Sequence, residues 1–226
     1  MTGKMTFNLL TVLGKATTAS IEATCKLHNE TAGNPGGVAA AKALGDMSHM
    51  TFMPTNAAAS FTGELLFMDI WNSLDGLNKF FNNTDVQTGG NMMFASREAV
   101  VWSKLDGFLN FHFPSPTGKN DKIVGLVRGK VKSLEGAETI HNTAIGKQVN
   151  QARAAGIISH EFFVRMGAPG SPETLEVLGI DLWMNQENMM KHYMGADFQN
   201  SGLYTMFVSK PVSSTWVHPK GNWVEW

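Results

Sequence analysis

The sequence holds one cysteine, Cys25, in 226 residues, which excludes an intrachain disulfide and any metal cage built from cysteines. Charge is scarce too: Asp, Glu, Lys and Arg make up 16% of residues, below the roughly 25% usual for soluble domains. Eighteen basic against nineteen acidic residues leave no basic footprint for nucleic acid or an anionic membrane. No run of about 18 apolar residues occurs, so no segment reads as a membrane-spanning helix. Met1–Phe7 lacks the charged lead and apolar stretch of a secretory signal, which points to a cytoplasmic protein. A Gly-rich phosphate loop, a Gly-x-Ser-x-Gly elbow and a His-Glu-x-x-His pair are all missing. No Cys/His/Asp spacing resembles a ligand set, so no metal is expected.

What is present is a duplication. Ala41-Lys42-Ala43-Leu44-Gly45-Asp46-Met47-Ser48-His49 aligns with Ala152-Arg153-Ala154-Ala155-Gly156-Ile157-Ile158-Ser159-His160. Upstream, His28-Asn29 matches His141-Asn142, and Gly14-Lys15 matches Gly129-Lys130. Downstream, Asp69-Ile70-Trp71 matches Asp181-Leu182-Trp183, and Asp85-Val86-Gln87 matches Asp197-Phe198-Gln199. The offset drifts only between 111 and 115, where short insertions such as Pro35-Gly36-Gly37 fall.

Each copy reads as β-α-β-β-α-β. Phe7–Leu13 and Ile123–Val127 suit first strands. Leu134, Ala137, His141 and Ile145 form one stripe of a helix, as do Ile21, Cys25, His28 and Ala32. Gly45 and Gly156 stand where those helices should stop, and Asn72 and Asn185 are expected to cap a second helix. This is the ferredoxin-like arrangement: α+β, an antiparallel sheet with helices on one face. Two copies, 1–113 and 121–226, would stack their sheets into an α/β barrel and form a pseudo-dimer within one chain. Further homo-oligomerisation is compatible with the low charge. The Pro/Gly-rich stretch 114–120 suits the linker between them.

The second copy resembles the dimeric α/β-barrel superfamily, particularly its antibiotic-biosynthesis-monooxygenase-like branch. The resemblance rests on Asp181-Leu182-Trp183, Glu187-Asn188-Met189-Met190-Lys191-His192-Tyr193 and Asp197-Phe198. It implies a cofactor-independent monooxygenase-like or isomerase-like protein acting on a small aromatic or polyketide-like compound. A base would deprotonate a phenolic or enolic substrate, whose anion then reacts with dioxygen. The site would lie in the second copy, because Phe80 and Phe81 stand where His192 and Tyr193 would be.

His192 is the expected catalytic base, set against a plain surface position on its helix. Trp183, Tyr193, His141, Asn142, His160 and Met189 are expected to line the pocket. Each also has a structural reading: His28 and His141 as hydrogen-bonded core residues, the tryptophans and methionines as packing. Ser159 and His160 point to opposite faces of a strand, which argues against a serine–histidine nucleophile. The alternative is a barrel that binds an apolar ligand, or has a structural role, without catalysis. A third reading is haem binding or degradation, since Trp183 and His192 have a separation like that in haem-degrading relatives.

Overall fold

Local chemistry places the elements in the same order in both copies. The computed structural model describes residues 7–58, 60–113, 122–167 and 174–226. The stretch 114–120 and the first six residues, read above as linker and as lacking a signal, lie outside the described residues. The chain divides into two compact units, Met1–Ser103 with His218–Trp226, and Lys104–Val217.

The first unit contains β1 (Asn8–Ala16), α1 (Ile21–Glu30), α2 (Pro35–Ala43), β2 (Asp46–Pro54), β3 (Glu64–Trp71), α3 (Leu74–Phe81), α4 (Thr84–Met93) and β4 (from Phe94). Its strands are antiparallel in the order β4-β1-β3-β2. The second contains β5 (Phe111–His112), β6 (Ile123–Lys130), α5 (Leu134–Ala154), β7 (Ile157–Arg165), β8 (Glu176–Trp183), α6 (Gln186–Met194), α7 (Ala196–Gln199) and β9 (Val212–Val217). Its order β9-β6-β8-β7 repeats the first, and β5 adds to the β7 edge. Each unit is therefore ferredoxin-like and the fold class is α+β.

Register makes the duplication geometric. Asn8 pairs with Trp71 as Ile123 pairs with Trp183, and His49 pairs with Asp69 as His160 pairs with Asp181. Both second strands shift register at the same place, Asp46/Ser48 and Ile157/Ser159. Gly45 and Gly156 end the preceding helices at φ of 105° and 95°, where a Cβ would be strained.

One cap differs from expectation. Asn185 caps α6, accepting from Asn188 N, but Ser73 rather than Asn72 caps α3, accepting from Gly76 N at 3.0 Å. Asn72 still serves the end of β3, its N–H donating to Gly45 O. The larger difference lies in the first helix. α5 runs unbroken for 21 residues, whereas its counterpart is split into α1 and α2. Pro35 cannot donate to an ongoing helix, and it opens α2 behind the Asn34 cap instead.

Among the described residues no helix is long and apolar enough to cross a membrane. Trp71 and Trp183 are fully buried at equivalent strand ends. Around Trp183, the core includes Ile123, Ala152, Ile157 and Met189, with Tyr193 packed against it.

Candidate functional site

In each unit a helix drops one histidine onto a cross-strand His–Asp pair. His28 of α1 and His49 of β2 meet through their Nε2 atoms at 2.9 Å, and His49 Nδ1 lies 2.6 Å from Asp69 Oδ1. In the second unit His141 meets His160 at 2.8 Å, and His160 meets Asp181 Oδ1 at 2.5 Å. All four histidines are buried.

The hydrogen bonds settle where the protons sit. Asn29 Nδ2 donates to Asn222 O at 2.7 Å and its Oδ1 accepts from Val224 N at 2.9 Å, which orients the amide. Its Oδ1 therefore also accepts from His28 Nδ1–H, at 2.9 Å. With its proton on Nδ1, a neutral His28 accepts at Nε2, so His49 donates there. His49 Nδ1 in turn faces the Asp69 carboxyl, so both of its ring nitrogens are engaged. The same logic runs through Asn142, oriented by Leu109 N at 2.7 Å and Gly107 O at 2.8 Å, to His141, His160 and Asp181.

Electrostatics agree with this inventory. Burial, then the adjacent histidine, push His28 and His141 down to about 4, so both are neutral near pH 7. Burial pulls against the charged form of His49, but the Asp69 charge and hydrogen bond outweigh it, and the pKa rises. Aromatic rings close over each pair. Trp226 stacks on His49 at 4.7 Å and Phe111 on His160 at 5.5 Å.

Beyond the shared relay the units diverge. The first holds a cavity of about 870 Å³, with Asp46, His49, Asp69, Phe67, Phe94 and Trp226 among its walls. Its helical side includes Gly36, Gly37, Gly89 and Gly90, at the α1–α2 break and in α4, beside larger residues such as Phe80, Phe81 and Met92. Asp46 matches Ile157, each paired with its unit's buried tryptophan. Burial, then the Asp69 charge, push the Asp46 carboxyl up to about 7.

In the second unit a tyrosine reaches the corresponding carboxylate. Tyr193 OH donates to Asp181 Oδ2 and accepts from Trp183 Nε1 at 3.1 Å. Burial and the Asp181 charge raise its phenol well above the usual value. Gly125, opposite Asp181 in the sheet, makes this approach feasible: a Cβ there would lie 3.5 Å from the Tyr193 oxygen, leaving no room for a longer side chain. In the first unit Leu10 faces Asp69 and Phe81 replaces the tyrosine.

The expected site residues thus fall into one cluster. His141, Asn142, His160, Tyr193 and Trp183 form a hydrogen-bonded chain through Asp181, and Met189 packs on Trp183. His192 is half-buried, its ring 5.3 to 5.5 Å from those of Trp183, Tyr193 and Phe198, much as Phe80 lies 5.5 Å from Trp71. Burial lowers its pKa against the pull of Asp181. The three acids Asp46, Asp69 and Asp181 were missed as site residues. The signal for two of them was their duplication beside the tryptophans, in step with the duplicated histidines.

No family model matches the sequence, and no curated protein matches it. Solved structures do match the fold. An anthrone oxidase-like protein superposes with a TM-score of 0.63 at 15% identity, over 96% of this chain and 93% of its own. A candidate monooxygenase from Lactobacillus acidophilus NCFM gives 0.60 at 10% identity, over 94% and 93%. A heme-binding protein from Thermus thermophilus gives 0.56 at 11% identity, over 95% and 92%.

Proposed function

We propose that this chain, which has the ferredoxin-like fold of the dimeric α/β-barrel superfamily, is a monooxygenase-like protein for a small aromatic compound. The observation that carries the reading is the cavity of about 870 Å³ with Asp46 and the His49–Asp69 pair on its wall. The volume suits a small polycyclic ligand, and Leu10, Phe67, Phe94 and Trp226 supply apolar and aromatic contacts.

Asp46 is the base in this reading. A carboxyl near 7 combines a useful ionised fraction at neutral pH with enough basicity to accept a proton. It takes a proton from an activated CH₂ carbon of a phenolic or enolic substrate, and the resulting carbanion gives electrons to dioxygen. The CH₂ becomes a carbonyl with one oxygen atom, and the second leaves as water with both hydrogens. His49 holds Asp69 in place through its Nδ1 contact with Oδ1. Similarity to an anthrone oxidase-like protein supports this reading. Haem does not fit the wall. His49, the histidine among its described residues, has both ring nitrogens bonded, to Asp69 and His28.

A second reading keeps the base at His192. It is supported by a ring that has no hydrogen-bond partner among the described residues and whose lowered basicity leaves it neutral. Oxygen uptake with hydroxylated anthrone-type and naphthol compounds tests both. Asp46→Asn should reduce turnover by about 10²- to 10⁴-fold, while His192→Phe, which copies Phe80, should stay within about twofold. The opposite pattern selects His192.

A further inference from the structure

The second unit supplies a hydroxyl that the first lacks. Where Asp181 Oδ2 accepts from the Tyr193 hydroxyl, Asp69 has only Oδ1 engaged, by His49, and no described residue donates to Oδ2. Asp69 lies on the cavity wall. A second mark of the missing hydroxyl is Trp71. Its Nε1–H is buried without a partner, whereas the equivalent Trp183 Nε1–H donates to Tyr193 OH. Buried donors in native structures are rarely left so, and the repeat shows which group satisfies the other copy. Both gaps follow from two substitutions, Leu10 for Gly125 and Phe81 for Tyr193. Together they remove one phenol oxygen and leave the Asp69 carboxylate facing open space.

We propose that the first unit's cavity binds its ligand through a phenol or enol hydroxyl donated to Asp69 Oδ2, in the role that Tyr193 plays toward Asp181. This rests on the reading of the cavity as the ligand site and names the chemical class that the site selects. Aromatic compounds lacking a hydroxyl leave the carboxylate desolvated and unpaired, and that penalty is the source of discrimination. Trp71 stays outside the set of contacts, because it is not on the cavity wall.

Equilibrium binding to the full chain without oxygen tests this, using 4-cyanophenol and benzonitrile, a pair that differs by the hydroxyl alone. A hydrogen bond to a carboxylate should make 4-cyanophenol bind about 10- to 100-fold more tightly. Asp69→Asn should reduce that preference at least several-fold. Leu10→Gly with Phe81→Tyr, which writes the second unit's hydroxyl into the first, should weaken 4-cyanophenol binding and leave the two compounds with similar affinity. Tyr193→Gly should add a second site, so that 4-cyanophenol raises the unfolding midpoint of that variant more than benzonitrile does. Equal affinity of the wild-type chain for the two probes would overturn the hydroxyl assignment while leaving the cavity as the site. Unaltered 4-cyanophenol binding in the Leu10→Gly/Phe81→Tyr protein would overturn the cavity itself. The wild-type comparison needs no variant to fold, and turnover enters none of these results.

Discussion

The first and second units keep the same register, the same helix-to-sheet histidine contact and the same buried tryptophan, yet the shared relay ends on a cavity wall in one and on the Tyr193 hydroxyl in the other. Three exchanges mark the difference: Leu10 for Gly125, Asp46 for Ile157 and Phe81 for Tyr193. The relay is present in both copies, so it is not what distinguishes them. In the second unit the relay ends on an internal phenol, and every member has a partner. In the first it ends on a cavity, with a second carboxyl added. A satisfied buried network rigidifies a fold, whereas the same network with one end released is available for binding.

Three groups of substitutions would break or sharpen that contrast. The largest effect on stability belongs to what the units share: Trp71→Ala and Trp183→Ala should each cost about 3–5 kcal/mol in urea unfolding, since both side chains are fully buried. Next comes a difference. Tyr193→Phe should cost about 1–3 kcal/mol, because Trp183 loses its acceptor and Asp181 one of its donors. Phe81→Tyr alone should gain nothing, with Leu10 still opposite Asp69.

The third effect is in pH dependence. Asp46 has its folded pKa raised from 3.8 to about 7, so ionising it costs stability progressively as pH rises through that interval. Asp46→Asn should therefore be more stable than wild type at pH 8 and similar to it below the unfolded-state value. A variant that loses turnover while gaining stability at neutral pH is the signature of a strained functional group. His28 and His141 act in the opposite sense. Their pKa values fall from 6.5 to about 4, so their contribution is present above 6.5 and lost as pH drops toward 4. Thermal midpoints measured from pH 8 to 4 should show that acid loss more steeply in Asp46→Asn, which lacks the gain that protonating Asp46 brings.

Much of the fold was legible because duplication is a property of residues in order. Asp-x-Trp, His-Asn and Ser-His recur collinearly, and helical periodicity put His28 and His141 on buried faces. Pairing those histidines with His49 and His160 needed the helix-to-sheet approach, which periodicity does not specify. Asp69 and Asp181 stood in the matched motifs, but their meeting with histidine depends on the register between two strands separated by a loop. The cavity was least legible of all. A void follows from side chains that are too short to meet, such as Gly36, Gly37, Gly89 and Gly90, and no motif records an absence. The internal comparison of Phe81 with Tyr193 was visible in the sequence and was read as a loss of chemistry in the first copy. In space the same exchange releases Asp69.

The most direct measurement is a crystal structure of the full chain grown with 4-cyanophenol. The account predicts the ring between the helices and sheet of the first unit, its hydroxyl within hydrogen-bond distance of Asp69, and Tyr193 still on Asp181. Density for the compound beside His192 with the first cavity unfilled, or in place of a displaced Tyr193, would contradict it.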